Sequence, residues 1–267
     1  MRLSSIVLTS LLLACGCAGK VQDPIPTQLH SLSAAEPSSP ADAVEQPAVA
    51  EVETEQAASE SARVLLVALP GAGDRVGTYD KHGLVESLRE TGMSVDMLEV
   101  DAHTGYYFGE RTLLQRMEED VLAPNRERYD EIWVVGISMG GIGALLTAWT
   151  YPEDIDGLVL MSPYLGRRKT LRQISEAGGI AAWQPPEQAE DEAWDIEIWR
   201  MLKQATEGDK ELELYLMYGD KDLGVRAHHM LAEALPAERV KVTPGGHAWS
   251  TWSTLWTELM ADRPFEG

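Results

Sequence analysis

Gly136-Ile137-Ser138-Met139-Gly140 spells G-x-S-x-G, a serine flanked two positions away on each side by residues without side chains. Chance alone would place that pattern in a chain of 267 residues with a probability of roughly 0.1, so its surroundings decide what it means. The run Ile132-Trp133-Val134-Val135 before it reads as a buried strand, and Ile142 to Tyr151 after it as a helix. The serine therefore sits on a strand-to-helix turn, a strained place where Gly136 and Gly140 relieve the crowding. The helix that follows would aim the positive end of its dipole at a developing oxyanion.

A serine hydroxyl is a weak nucleophile until a base takes its proton, and the base needs an acid to orient it. The last third of the chain supplies both. His247, in Pro244-Gly245-Gly246-His247-Ala248-Trp249, follows one predicted strand and precedes the last predicted helix. Asp222, in Tyr218-Gly219-Asp220-Lys221-Asp222, lies just past the preceding strand, and Asp220 on the same loop competes with it for the role of acid. Among the other histidines, His228 and His229 fall inside a predicted helix and read as solvated surface residues, whereas His103, beside Tyr106-Tyr107-Phe108, is a candidate for lining a pocket. No cluster of histidines and carboxylates has metal-ligand spacing, so neither a metal nor a cofactor is expected.

The elements that must position these residues alternate. Apolar runs at 64–69, 94–100, 131–137, 157–161, 211–217 and 239–243 read as strands; helical patterns fall at about 80–90, 110–122, 142–151, 225–235 and 249–260. Prolines 124, 152 and 236 close three of the helices. Strands alternating with amphipathic helices imply βαβ units, hence an α/β fold: a three-layer αβα sandwich around a mostly parallel sheet of about six strands. Chemistry then belongs at the carboxyl ends of the strands. The stretch 167–210, with Trp183, Trp194 and Trp199, is too long for an ordinary connection and reads as a small helical cap insertion, its tryptophans used for packing.

With Ser138, Asp222 and His247 in that order, each just past a strand, residues 63–267 resemble the α/β-hydrolase superfamily. The resemblance implies that Ser138 is the nucleophile, His247 the general base and Asp222 the orienting acid. It also implies an oxyanion hole made by the Met139 N–H and an N–H from the loop Leu69-Pro70-Gly71-Ala72-Gly73-Asp74, assigned to Ala72. Pro70-Gly71 stands where that family often has His-Gly, and there is little chain before Val64 for its two leading antiparallel strands.

The charge is -21, with 43 acidic against 22 basic residues, which opposes contact with a phosphate backbone; no nucleic-acid partner is expected. The same field makes bulky polyanionic thioesters poor candidates. Residues 1–62 hold two basic and eight acidic residues, so -15 of that charge lies on the body. Both cysteines, Cys15 and Cys17, lie in the leader, which leaves the body with no disulfide, thiolate metal site or cysteine nucleophile.

Arg2 followed by the apolar stretch Ile6 to Ala14 reads as a signal peptide over 1–14, too short to span a bilayer. Leu12-Leu13-Ala14-Cys15 resembles a bacterial lipoprotein box, which implies lipidation at Cys15, with Cys17 the alternative. Gly16, not an aspartate, follows, and by the same resemblance favours the outer membrane. The Pro/Ala/Ser/Glu-rich stretch 15–62 has no aromatic residue and reads as a disordered acidic tether, its roughly 46 residues giving a reach on the order of 35–40 Å. The expected protein is thus a serine hydrolase that cleaves a small-molecule or lipid-like carboxylic ester, lipid-anchored in the bacterial cell envelope. Thioesterase or acyltransferase chemistry on the same triad, or a non-catalytic tethered binding protein, are the alternatives. The oligomeric state is not legible.

Overall fold

Val64-Leu65-Leu66-Val67-Ala68-Leu69 has no polar residue on either face, so as a strand it must be covered on both sides. A computed structural model, which describes residues 19–32, 64–187, 194–207 and 212–265, has that arrangement. The strands are β1 (Thr27–His30), β2 (Val64–Leu69), β3 (Val95–Val100), β4 (Glu131–Ile137), β5 (Gly157–Met161), β6 (Glu213–Gly219) and β7 (Val240–Thr243). Among the described residues they form one sheet in the order β1-β3-β2-β4-β5-β6-β7. The six strands from β2 to β7 are parallel and β1 runs antiparallel to β3. The chain leaves β2 on one side for β3 and returns on the other for β4. The carboxyl ends of β2 and β4 therefore flank the switch point, where an open sheet leaves a crevice.

The helices are α1 (Thr78–Lys81), α2 (Leu84–Glu90), α3 (Leu113–Arg116), α4 (Ala123–Asn125), α5 (Met139–Thr150), α6 (Arg168–Ala177), α7 (Trp194–Glu207), α8 (Val225–Ala232) and α9 (Trp249–Ala261). Alternation along the strands divides the core in two. Val64, Leu66 and Ala68 of β2 pack with α1, α2 and α9, where Trp252, Leu255 and Trp256 are buried. Leu65, Val67 and Leu69 point the other way, onto residues 105–125 and α5 to α8. The three layers expected from the sequence are present.

Local departures have local causes. The helix expected at 80–90 breaks at Gly83, whose φ of 79° starts α2 afresh. The helix expected to end before Pro124 runs through it, because Pro124 falls in the first turn of α4, where its missing N–H costs nothing. The expected cap divides in two. Trp183, Trp194 and Trp199 are buried in the larger core, and α7 is the crossover helix from β5 to β6, whereas the start of α6 borders the crevice. No helix among the described residues is long and apolar enough to cross a membrane.

The expectation of a disordered tether over 15–62 is corrected for residues 19–32. β1 adds a seventh, antiparallel strand to the expected six, pairing Thr27 to His30 against Val100 to Met97. Three carboxylates on or beside that strand explain why so polar a segment stays. Buried Glu99 accepts hydrogen bonds from His30 Nε2 at 3.0 Å and from the Tyr79 and Asp80 amides. Buried Asp96 takes the Leu32 amide at 3.0 Å and the Tyr129 hydroxyl at 2.8 Å. Further back, Asp120 receives the Ile25 amide at 2.9 Å, and Arg116 pairs with Asp23. The segment thus docks by two means: Ile25 and Leu32 are buried in the cores on the two faces of the sheet, and its backbone amides meet acceptors placed for them. Cys15, Cys17, the signal peptide at 1–14 and the stretch 33–62 lie outside the described residues.

Deleting residues 19–32 would bare the outer edge of β3 and strip a backbone partner from Asp96. The melting temperature should fall by about 10 °C, the effect of about 3 kcal/mol in a domain of this size. Thermal unfolding followed by circular dichroism checks this, and an unchanged transition would mean that β1 contributes nothing to stability.

Candidate active site

The turn between β4 and α5 puts Ser138 at φ 53° and ψ -109°, a conformation that L-residues rarely adopt. Three hydrogen bonds hold it there. The Ser138 amide donates to Met161 O at 2.9 Å, and its carbonyl accepts from the Gly141 and Tyr164 amides at 3.1 and 3.0 Å. The spacing of the glycines follows from clearance. A Cβ on Gly140 would lie 2.2 Å from the Leu69 carbonyl oxygen, and one on Gly136 would lie 2.4 Å from that of Gly140. Both obstacles are backbone, so neither can swing aside.

The residues expected to act together meet here. Ser138 Oγ lies 2.9 Å from His247 Nε2, and His247 Nδ1 lies 2.9 Å from Asp222 Oδ2. Asp222 is 4% exposed. Burial by itself would raise its pKa, but hydrogen bonds from His247, the Gly224 amide and Ser162 outweigh it and hold the carboxyl below the usual range. It therefore stays ionised and fixes the His247 ring with Nε2 toward the serine. Asp220 does something different. It is exposed, and its Oδ1 accepts the Gly245 amide at 2.9 Å, which pins the loop that carries His247.

Other parts of the site were not legible. Ser162, just past β5, has a φ of 45° and is buried. Its Oγ accepts Trp252 Nε1 at 2.9 Å while its hydroxyl serves Asp222. Trp252 also meets the His247 ring edge-on, with centroids 5.0 Å apart. A chain of contacts thus runs from α9 through Ser162 and Asp222 to His247 and Ser138. The one signal available was position, since Ser162 follows a strand at its carboxyl end.

One histidine expectation is corrected. His228 is not solvated but fully buried. Its Nε2 lies 2.9 Å from the Pro163 carbonyl, which can only accept, so Nε2 carries the proton. Nδ1, without a hydrogen bond, is 3.8 Å from Asp222 Oδ1, and burial holds the ring's pKa below the ordinary histidine value. His229, one residue on, is exposed as expected. His103 is buried away from the crevice, receiving the Gly105 amide on Nδ1 at 3.1 Å, and is not among the residues that line the site.

A cavity of about 830 Å³ opens over Ser138 and His247, within the range of small-molecule sites. Met139 and Ala72, the residues whose amides are expected to hold an oxyanion, border it together with Ser138. Tyr164, Leu165, Leu171 and Val225 supply an apolar wall. A nucleophile, an oriented base and backbone donors around a half-apolar cavity are suited to acyl transfer.

Comparison with known proteins agrees with this geometry. Residues 51–262 match the model of the Esterase family, described as putative esterase. The fluorophosphonate-binding serine hydrolase F of Staphylococcus aureus, in a substrate-bound structure, is 14% identical and superposes with a TM-score of 0.52 over 89% of this chain and 98% of its own. A ferulic acid esterase is 14% identical with a TM-score of 0.51, covering 75% and 84%. The S-formylglutathione hydrolase FrmB of Staphylococcus aureus is 14% identical with a TM-score of 0.50, covering 75% and 80%. These likenesses are of fold. No curated relative matches the chain by sequence.

Gly140→Ala should destabilise the domain by about 3 kcal/mol or more, the upper range for overpacking, because the intruded atom is a backbone oxygen. Denaturant unfolding measures this; a change below about 1 kcal/mol would show that the turn has more room than its spacing indicates.

Proposed function

The chain belongs to the putative esterase family, and from that premise we propose that it hydrolyses carboxylic esters through an acyl-enzyme formed on Ser138. The observation that carries this reading is the unbroken pair of 2.9 Å contacts from Ser138 Oγ through His247 to Asp222. In the first half-reaction Ser138 Oγ attacks the ester carbonyl carbon and its proton passes to His247 Nε2. The electron pair displaced onto the carbonyl oxygen is received by the Met139 and Ala72 N–H groups, with the α5 dipole behind Met139. Collapse of this intermediate breaks the bond to the alcohol oxygen, which takes the proton from His247 and leaves. Water then attacks the acyl-serine with His247 again as base; the carboxylic acid departs and Ser138 recovers its proton. Asp222 stays ionised throughout and balances the transient imidazolium.

The envelope address is part of the proposal, and rests on the Leu12-Leu13-Ala14-Cys15 box. The docked segment shortens the leash considerably. Gly19 lies against Arg75 and His103, beside the loops that leave the carboxyl ends of β2 and β3. Three residues lie between it and Cys15, so the two are at most about 14 Å apart along an extended chain. A diacylglyceryl anchor at Cys15 would therefore hold the catalytic end of the sheet close to the bilayer, in place of a remote domain on a long tether. A lipid-like ester reaching the cavity from the membrane suits that arrangement.

Ser138→Ala should abolish both ester turnover and labelling by a fluorophosphonate while leaving the melting temperature unchanged. Asp222→Asn should lower kcat by about 10⁴-fold, as loss of an orienting acid does, whereas Asp220→Asn should cost far less, because it only steadies the loop. Asp222, held below the ordinary carboxylate range, should stay ionised on mild acidification, so no loss of activity in the range where ordinary carboxylates titrate should come from it. p-Nitrophenyl ester assays against pH measure all three, and equal losses from the two aspartate changes would refute the division of roles.

Cys15→Ser should release the protein from the membrane fraction, whereas Cys17→Ser should not, because stable anchoring needs the lipid chains on one cysteine. Detergent partitioning of the two variants checks this; release by Cys17→Ser alone would move the anchor.

A further inference from the structure

The molecule is strongly acidic, yet the cavity is not. Its lining includes Arg167, Arg168 and Arg226, and Asp222 is the only carboxylate there among the described residues. Asp222 is already engaged with His247. Arg167 is bound to the buried Asp195, with contacts at 2.7 and 3.2 Å, so its charge is balanced within the protein. Arg168 and Arg226 are exposed, and no ion pair holds either of them among the described residues.

Helix polarity adds to this charge. α5, α6 and α8 all begin at the cavity, through Met139, Arg168 and Val225. None of the three has an acidic residue in its first turn. Arg168 is the first residue of α6 and Arg226 the second of α8. Each is thus set against the dipole of its own helix, where a carboxylate would be the stabilising choice. Such a placement is unfavourable for the helix and becomes favourable when an anion is bound, since guanidinium and dipole then act together.

We infer that the substrate is an ester carrying a carboxylate, which Arg168 and Arg226 receive at the cavity mouth while the apolar wall holds the chain between that group and the scissile carbonyl. The inference rests on the hydrolase reading and adds the charge of the substrate to it. It also reverses what net charge suggested. A charge of -21 describes the distant field, which salt screens beyond about 8–10 Å, while the cavity is governed by the groups that line it.

The test compares anionic with neutral esters of similar shape: the mono-p-nitrophenyl ester of adipic acid against p-nitrophenyl heptanoate, and 4-carboxyphenyl butyrate against phenyl butyrate. The first pair places the carboxylate on the acyl half, the second on the alcohol half. The readout is the ratio of kcat/KM for the anionic ester to that for its neutral partner, in the wild type, Arg168→Gln, Arg226→Gln and the double variant. In at least one pair the ratio should fall about fivefold for each single change and about twentyfold for both, as expected for partly exposed ion pairs. In the wild type it should also fall as salt rises. Ratios that the double variant leaves unchanged in both pairs would overturn the inference, as would a wild-type preference for both neutral esters. Fluorophosphonate labelling of Ser138 separates the two readings. A labelled serine with no anion preference removes this inference alone, whereas an unlabelled serine with no turnover of any of the four esters removes the hydrolase reading with it.

Discussion

One backbone conformation organises this molecule. Ser138 occupies a region of φ and ψ that costs on the order of 1–3 kcal/mol, and it is held there by the ends of neighbouring strands. Its amide is tied to Met161 at the end of β5 and its carbonyl to Tyr164 beyond it. Gly140 passes so close to Leu69 at the end of β2 that no side chain fits between them. Three strand ends thus converge on one residue, and the strain is offset by a hydroxyl that stands clear of the sheet at the start of a helix.

The acid side of the site solves a harder electrostatic problem. A buried carboxylate must stay charged, and Asp222 does so by collecting hydrogen bonds from His247, the Gly224 amide and Ser162. Trp252 fixes Ser162 from α9 and also packs on the edge of His247, so the same helix steadies both the acid and the base. His228 closes the far side of Asp222. With its Nε2 proton directed to Pro163 and its pKa held low by burial, it brings no competing positive charge to the carboxylate. Asp222 is therefore free to act on one partner.

The proposed function and the proposed anchor converge at the same end of the sheet. The segment at 19–32 is held by carboxylates on and near β3, and it begins beside Arg75 and His103. The segment that would carry an anchor is thus part of the folded domain, and the surface nearest that anchor is the one that contains the crevice. Arg168 and Arg226, at the starts of α6 and α8, border the same opening.

By itself the sequence determined the parallel sheet, the two faces of its core and the turn at Ser138. Each rests on local rules: apolar runs long enough for one strand, helical periods between them, and glycines at the two positions where a serine turn needs clearance. It also determined that an acid from the loop of Asp220 and Asp222 meets His247, because chain order places both loops just past adjacent strands. What it left open depended on groups far apart in the chain. Asp220 and Asp222 differ by two positions on one loop, and only the fold turned one toward His247 and the other toward the Gly245 amide. His228 and His229 were indistinguishable until α8 packed one of them beneath Asp222. The stretch from Thr27 to Leu32 shows no strand pattern, since carboxylates far along the chain hold it, Glu99 at His30 and Asp96 at the Leu32 amide. The charge of the cavity was decided last, because it follows from which helices begin there, a property of their arrangement that no composition contains.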